Sequence, residues 1–355
     1  MYRNRTRATW RLICTEGNKE MDDMDRVDMV DRVGCPLSTM STPSTMSTKS
    51  TPFKATMKST LQSITTAQPL QLLGPAYPYI ILSKPRIVFL VTITGLSAMI
   101  LEGSLLSAPL RFAAVLLGII LAACSAGALN QYYDRDIDAL MIRTRTRRPI
   151  PSGKIAPLNA LYFGLLSAIA SIILLTVAGN VLAAATGLGT IVFYILVYTI
   201  WLKRRTPQNI VIGGIAGAAT PLIGWTAGAG EPGLVAWLMF LVIFLWTPPH
   251  FWALALYTKQ DYSMAGIPML PVVAGEKVTR VCISLYAALL LPATACLGIQ
   301  ADLGVLFLVA TTILGCNLII KITLLWIKKD ARSAQALFTY SNFYLAAVFI
   351  LMLVL

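Results

Sequence analysis

Long apolar stretches separated by short polar segments fill the chain from about Ser83 to its end. Nine of these stretches contain about twenty residues each, which is enough for a helix to cross a hydrocarbon core of roughly 30 Å. They lie approximately at 85–101, 110–132, 157–177, 181–200, 209–227, 233–256, 278–298, 303–325 and 334–355. Only Ala178, Gly179 and Asn180 separate the third from the fourth, which predicts an antiparallel hairpin. The pattern predicts an all-α polytopic membrane protein with nine transmembrane helices.

The composition agrees with this fold class. Of the 355 residues, 56% are hydrophobic and 13% are charged, and the mean hydropathy is +0.70. A net charge of +13 in a soluble protein would suggest nucleic acid, but here the basic residues follow the second, fourth, sixth and eighth apolar stretches. This alternation is the positive-inside pattern of membrane proteins. We therefore expect a lipid bilayer and no nucleic acid as partner, with a cytoplasmic N-terminus and the C-terminus outside.

Residues 1–75 differ in composition from residues 76–355. An acidic segment and a Ser/Thr/Met repeat occupy the first part, and neither contains enough apolar residues to form a core. We expect a disordered N-terminal tail at 1–75 and one intramembrane domain at 76–355. The six cysteines form no CxxC pair, so they indicate neither a metal cluster nor a disulfide framework.

Three polar residues at a spacing of four begin at the end of the second apolar stretch: Asn130, Asp134 and Asp138. On a helix this spacing stacks side chains on one face, whereas Asp136 falls on the other side. Amide and carboxylate oxygens are hard donors that suit Mg²⁺ bound to a phosphate-bearing substrate. The alternative is a charged segment that only sets topology, but carboxylates contribute little to positive-inside sorting. We call these three residues the polar stripe.

Basic residues surround the polar stripe in the sequence. Arg143, Arg147 and Arg148 follow it, and guanidinium groups match phosphate oxygens. Lys203 and Arg204 belong to a second basic cluster, after the fourth apolar stretch. That cluster binds diphosphate or carboxylates if it faces a cavity, and is otherwise a solvated topology signal.

The loop after the sixth apolar stretch should emerge on the same membrane face as the polar stripe. It contains Asp261, which either completes a metal and diphosphate site or pairs with its neighbour Lys259. His250, the single histidine, lies within the sixth stretch, between Pro249 and Phe251. A histidine in that position is either a hydrogen-bonded contact between helices or a ligand. Prolines within several stretches indicate a polar cavity inside the bundle, because a freed backbone carbonyl is tolerated only there.

Residues 80–355 resemble the UbiA superfamily of intramembrane prenyltransferases, and in particular its haem-farnesylating branch. Three segments carry the resemblance: NQYYDRDIDALMIRT, YTIWLKRRTPQNIVIGGIAGA and WTPPHFWALALYTKQDYSMAGIPMLPV. The resemblance implies nine helices around a central cavity and a Mg²⁺-dependent enzyme that transfers farnesyl from farnesyl diphosphate to a vinyl group of haem b. The product would be haem O, for haem-copper oxidase biogenesis. A bacterial cell inner membrane is expected, with the mitochondrial inner membrane as the alternative, and a downstream haem A synthase is an expected partner.

The resemblance also implies residue roles. Asn130, Asp134 and Asp138 would bind the Mg²⁺-diphosphate, with Asp261 as the second acidic motif. With haem as acceptor, His250 becomes a candidate iron ligand or orienting group alongside its structural alternative. Lys259 and the cluster with Lys203 and Arg204 become candidates for the haem propionates.

Two departures from the family pattern affect these roles. Many members carry a paired DxxxD in the second loop, whereas here position 257 is Tyr and Asp261 stands alone. The spacing from Arg143-Thr144 to Arg148-Pro149 is one residue longer than the family pattern, so either Arg147 or Arg148 meets phosphate. Two other functions remain open: prenyl transfer to an aromatic or chlorin acceptor, and transport by a multi-span protein.

Overall fold

The structure is a computed structural model that describes Gly74 and residues 76–355. The predicted tail at 1–75 lies, apart from Gly74, outside the described part. Fifteen α-helices and no strand occur in the described residues. They are α1 Tyr77–Leu82, α2 Pro85–Glu102, α3 Pro109–Tyr133, α4 Arg135–Leu140, α5 Ile142–Arg145, α6 Pro157–Leu174, α7 Val181–Val192, α8 Asn209–Ala218, α9 Thr220–Ala229, α10 Leu234–Tyr257, α11 Lys259–Met264, α12 Leu270–Val273, α13 Gly275–Gln300, α14 Gly304–Lys328 and α15 Ala331–Val354.

Nine helical segments within residues 76–355 are long and apolar enough to cross a membrane, as predicted. The segments are α2, α3, α6, α7, α8 with α9, α10, α13, α14 and α15, where π-helical turns extend α6 to Gly179 and α7 to Leu202. Every observed boundary lies within three residues of the predicted one. The nine-span all-α fold is confirmed, and the cytoplasmic N-terminus stays a prediction.

The starts and ends of the spans follow from local sequence. Pro85, Pro109 and Pro157 occupy the first turns of α2, α3 and α6. Proline fits there because its missing N–H has no partner in a first turn and its fixed φ is helical. Gly103 and Gly230 end α2 and α9 with positive φ, a conformation that glycine adopts without steric cost.

The predicted hairpin between the third and fourth spans has a specific cap. Asn180 precedes α7, and its side-chain oxygen accepts a hydrogen bond of 2.9 Å from the backbone N–H of Ala183. Its amide nitrogen also donates to the carbonyl oxygen of Thr226 in α9, at 2.6 Å. The Asn180 side chain therefore caps the start of α7 and also ties the turn to α9, a helix of the fifth span.

Prolines inside the bundle have different effects on their helices. The fifth span breaks at Ala219, directly before Thr220 and Pro221, so α8 and α9 are separate helices. Pro248 and Pro249 lie inside α10, which remains a single helix. Pro292 is likewise inside the continuous α13.

Spans that follow one another in sequence pack against each other, and the last packs against the first. The hydroxyl of Ser97 in α2 donates a hydrogen bond of 2.9 Å to the carbonyl oxygen of Phe349 in α15. Outward-facing apolar side chains such as Leu110 and Val177 are 89% and 79% exposed, as expected for residues that face lipid tails. Short helices α4 and α5 fill the loop after α3, and α11 and α12 fill the loop after α10. These two loops position the site.

Candidate active site

The polar stripe begins on α3 and continues across a break in the helix. The spacing of four predicted side chains stacked on one helix face, whereas α3 ends at Tyr133 and Asp134 has the non-helical angles φ −85° and ψ 2°. Backbone hydrogen bonds still connect residues four apart, because Asp134 N donates to Asn130 O at 2.9 Å and Asp138 N donates to Asp134 O at 2.8 Å. All three side chains are buried. The stacking predicted from the spacing is therefore kept, although the helix is not continuous.

Each member of the polar stripe has a basic partner. Lys203 donates a hydrogen bond to Asp134 Oδ2, and Arg148 forms an ion pair with Asp138 Oδ2. The third partner lies at the start of the first span, and sequence reasoning missed it. The ammonium group of Lys84 donates to Asn130 Oδ1 at 2.6 Å. Three basic groups from three separate parts of the chain thus converge on the stripe.

Lys84 has an unusual backbone as well as an unusual partner. Its φ is +57°, a left-handed conformation that is costly for a residue with a side chain. Sparsely populated conformations of this kind cluster at functional sites. The available sequence signal was a lysine directly before Pro85, at the same end of the bundle as the basic loops.

Burial and charge shift the acid–base properties of the site. Burial, together with the nearby Arg148 and Lys203 cations, lowers the pKa of Lys84 to about 7. Burial raises the pKa of Asp138, although the Arg148 cation acts in the opposite direction. Both shifts result from confining charged groups in a region with little water, where unpaired charge is disfavoured. Such shifts are common in binding and catalytic sites.

The second loop meets the first at Asp261. This carboxylate is buried, and its Oδ2 atom accepts a hydrogen bond of 3.3 Å from the backbone N–H of Arg143. Lys259, the alternative partner of Asp261, instead lies 3.2 Å from Glu276 Oε1. Asp261 therefore faces the segment that follows the polar stripe, and Lys259 faces away from it.

The three candidate arginines differ in their surroundings. Arg148 pairs with the stripe, whereas Arg147 is exposed. Arg143 lies beside Asp261, and its Nε atom is buried with no hydrogen-bond partner among the described residues. A buried donor without an acceptor carries a desolvation cost, which an added acceptor such as a phosphate oxygen would remove. Arg143 and Arg148 thus face the site, and Arg147 does not.

Arg204 lies at the periphery. Its guanidinium group forms two hydrogen bonds with Asp136, at 2.7 and 2.8 Å. This bond lowers the pKa of Asp136, and both side chains remain largely exposed. Asp136 lies outside the polar stripe, as its position in the sequence predicted, and it holds Arg204 away from the stripe.

His250 lies within α10 against α15. Its Nδ1 atom is 2.8 Å from the hydroxyl of Ser341, and its ring stacks on Trp246 and Phe338 with centroid distances of 4.3 and 4.5 Å. The ring is buried. These contacts favour the structural alternative, a hydrogen-bonded contact between two spans.

The predicted metal ligands are Asn130, Asp134, Asp138 and Asp261, and their chemistry fits Mg²⁺. Among the described residues no three His, Cys, Asp or Glu side chains form a ready-made metal cluster. Mg²⁺ needs no such cluster, because it commonly binds one or two carboxylates and completes its shell with water and substrate phosphates. The Oδ1 atom of Asp134 is buried without a hydrogen-bond partner in the described part of the chain. An unpartnered carboxylate oxygen of this kind is suited to a cation.

The sequence of the chain matches the UbiA prenyltransferase family over residues 89–343. The chain belongs to this family. A family member from Symbiobacterium thermophilum, named protoheme IX farnesyltransferase, is 50% identical over 244 residues, which cover 68% of this chain and 80% of that relative. The chain is therefore an intramembrane prenyltransferase by family, and not the transporter that the sequence left open.

Two solved structures of UbiA-type proteins have the same fold. That of a digeranylgeranylglyceryl phosphate synthase has a TM-score of 0.65 and 19% identity, and covers 79% of this chain and 98% of its own. That of a UbiA homologue from Archaeoglobus fulgidus, bound to DMAPP and Mg²⁺, has a TM-score of 0.56 and 17% identity, and covers 78% and 99%. At these identities the likeness establishes the membrane-spanning fold.

Proposed function

We propose that this chain transfers a farnesyl group from farnesyl diphosphate to a vinyl group of haem b, giving haem O. The observation that carries the proposal is the 50% identity to a protoheme IX farnesyltransferase over 80% of that relative. The buried polar stripe and its basic partners supply the chemistry that such a transfer needs. A bacterial cell inner membrane is the proposed location, and a downstream haem A synthase remains a predicted partner.

The diphosphate would bind where the two loops meet. Asp134 and Asp138, with Asn130 and Asp261, are the proposed ligands of Mg²⁺, which when bound would neutralise negative charge on the leaving group. Lys203 and Arg148 neutralise the stripe in the free protein. With a cation on the carboxylates, these two basic groups would be free to contact the diphosphate oxygens.

Arg143 and Lys84 extend the same cationic surface. Arg143 has a buried Nε atom without a partner, and Lys84 is fixed by its bond with Asn130. Cations placed in advance where negative charge develops stabilise a transition state strongly, since they need no reorganisation during the reaction. These residues would promote cleavage of the carbon–oxygen bond of the allylic diphosphate.

The remaining steps balance without an added oxidant. Breaking the carbon–oxygen bond leaves an allylic farnesyl cation and diphosphate. The electron pair of the haem vinyl group forms the new carbon–carbon bond, and water adds to the resulting cation and releases a proton. Water must be kept from the allylic cation until this bond has formed, because it would otherwise capture the cation.

The test is to express the chain in bacteria that lack their own haem O synthase and to analyse extracted haems by chromatography and mass spectrometry. We expect a new, more apolar haem whose mass corresponds to haem b plus a farnesyl group and a hydroxyl group. Asp134→Asn is the matched control and should give haem b alone. A properly inserted parent protein that yields no farnesylated haem, or one that prenylates an aromatic acid or a chlorin instead, would contradict the proposal. Removal of Mg²⁺ from isolated membranes by a chelator should stop the reaction, and added Mg²⁺ should restore it.

A further inference from the structure

A polar cavity lies at the ends of four spans, and its lining contains no residue of the polar stripe. Its volume is about 390 Å³, and it is lined by the end of α10, the start of α11, the start of α13, the end of α14 and the start of α15. We call it the interfacial pocket. Its polar lining consists of Lys259, Gln260, Glu276, Arg280, Lys329 and Asp330. The apolar part of its wall contains Leu256, Leu325 and Ala334.

Arg280 is the buried cation of the interfacial pocket. The residue is only 8% exposed, its guanidinium carbon lies 5.6 Å from the ring centroid of Trp326, and its NH1 atom is 3.5 Å from Glu276. Its Nε atom is buried and has no hydrogen-bond partner among the described residues. The arginine side chain has hydrogen-bond donors and no acceptor, so only an added acceptor could pair with the Nε–H group of Arg280. The pocket is the space in which an acceptor can reach this side chain.

Charges in the interfacial pocket do not balance. Glu276 is shared between two cations, with one carboxylate oxygen near Lys259 and the other near Arg280. Asp330 accepts a hydrogen bond of 2.8 Å from Ser333 N and so caps α15. Lys329 has a φ of +53° and no carboxylate within ion-pair distance in the described part of the chain. Three lysine and arginine side chains thus face two carboxylates, which leaves one positive charge.

The position of the interfacial pocket indicates which kind of anion could reach it. It lies where spans end, which is the level of lipid headgroups in a bilayer, and basic pockets between spans at this level recognise such headgroups. Leu256 of α10 and Leu325 of α14 are apolar members of its lining. A lipid phosphodiester carries one negative charge, which equals the excess charge of the pocket. Acyl chains would find apolar surface beside it.

We propose that the interfacial pocket binds the phosphodiester headgroup of an anionic membrane phospholipid. Arg280 donates its unused Nε–H to a phosphate oxygen, and Lys329 with Lys259 supplies the surrounding charge. The site is separate from the proposed diphosphate site, because Lys259 faces Glu276 while Asp261 faces Arg143. The lipid would join α10, α13, α14 and α15 at one end of the bundle.

The test is thermal unfolding of the full-length protein in detergent with added lipid. Short-chain phosphatidylglycerol should raise the unfolding temperature in a saturable manner, because a ligand of the folded state stabilises it. Phosphatidylcholine with the same chains should do so much less. Arg280→Gln and Lys329→Gln should each weaken the apparent affinity for phosphatidylglycerol about fivefold, the effect expected for one basic residue near a lipid surface. The second variant changes an exposed residue, so it is informative even if Arg280→Gln fails to fold.

Arg332→Gln is the matched control, since Arg332 is exposed on the first turn of α15 and does not line the pocket. It should keep the affinity of the parent. Equal stabilisation by both lipids, or equal affinity in all variants, would overturn the proposal. Stabilisation by inorganic phosphate alone would identify a free anion and not a lipid as the ligand. Displacement of phosphatidylglycerol by haem b at stoichiometric concentration would assign the pocket to the acceptor substrate and overturn it as well.

Discussion

The ammonium group of Lys84 lies 2.6 Å from Asn130 Oδ1 and joins the start of the first span to the end of the second. This contact completes a pattern in which each residue of the polar stripe is paired with a basic group from elsewhere in the chain. Lys203 comes from the end of the fourth span, and Arg148 from the loop after the second. Substitutions in these pairs test whether the stripe is a diphosphate site.

The carboxylates provide the most direct test. Asp134→Asn and Asp138→Asn keep the side-chain size and remove the charge that would hold Mg²⁺. Each variant should lose at least about a hundredfold in the rate of haem O formation, the scale seen when one preorganised electrostatic group is removed. The measurement is haem conversion in isolated membranes at equal amounts of inserted protein. High Mg²⁺ should restore part of the rate if weakened metal binding is the cause.

Asp136→Asn is the internal control for those variants. Asp136 lies in the same segment and carries the same charge, but it is exposed and pairs with Arg204. Exposed ion pairs contribute little, so its rate should stay within a few-fold of the parent. Equal losses at positions 134, 136 and 138 would indicate a general charge effect of the loop, and full activity in Asp134→Asn would reject the diphosphate site.

The spans were predictable from sequence because about twenty consecutive apolar residues have few alternatives to crossing a bilayer. The stripe was predictable because a spacing of four survives a local break when the backbone hydrogen bonds continue, as they do at Asp134. Arg148 and Lys203 were among the candidate basic residues, but their pairing with individual stripe residues was not predictable, because it depends on how distant helix ends meet. Lys84 is 46 positions from Asn130, and a single lysine before a proline carries no pattern.

Neighbours in sequence were also a poor guide to ion pairing. Lys259 and Asp261 are two residues apart, which places their side chains on different sides of a helix. In the structure Lys259 pairs with Glu276, 17 positions away, and Asp261 contacts the backbone of Arg143. Two opposite charges that are close in sequence therefore make two separate contacts in the structure.

The arginines after the stripe should separate into two classes. Arg143→Gln and Arg148→Gln remove cations that face the site, and each should lower kcat/KM for farnesyl diphosphate about tenfold to a hundredfold, as expected for a charge-assisted hydrogen bond. Arg147 is exposed, so Arg147→Gln should remain near the parent. Steady-state kinetics with varied farnesyl diphosphate measure the difference. A larger loss in Arg147→Gln than in Arg148→Gln would reverse the assignment.

His250 should act through packing. His250→Ala leaves a cavity between Trp246 and Phe338 and an unpaired Ser341 hydroxyl, and should destabilise the protein by about 3 kcal/mol. Ser341→Ala removes only the hydrogen bond and should cost about 1 kcal/mol. The absorption spectrum of bound haem b and the KM for haem should be unchanged in both variants that fold. A shifted spectrum in His250→Ala would instead identify the imidazole as an iron ligand.

Lys84 is the residue whose importance the structure alone indicates. Lys84→Met keeps the length of the side chain but removes the charge and the hydrogen bond to Asn130. Because a half-buried cation beside the stripe would assist diphosphate binding, kcat/KM for farnesyl diphosphate should fall by about tenfold or more. Arg86→Met is the matched control, since Arg86 is an exposed cation two residues further along α2. It should retain activity within a few-fold, measured in the same membranes by haem conversion. If Lys84→Met inserts normally and keeps the rate of the parent, or if Arg86→Met is equally impaired, then the bond between Lys84 and Asn130 has no part in the reaction.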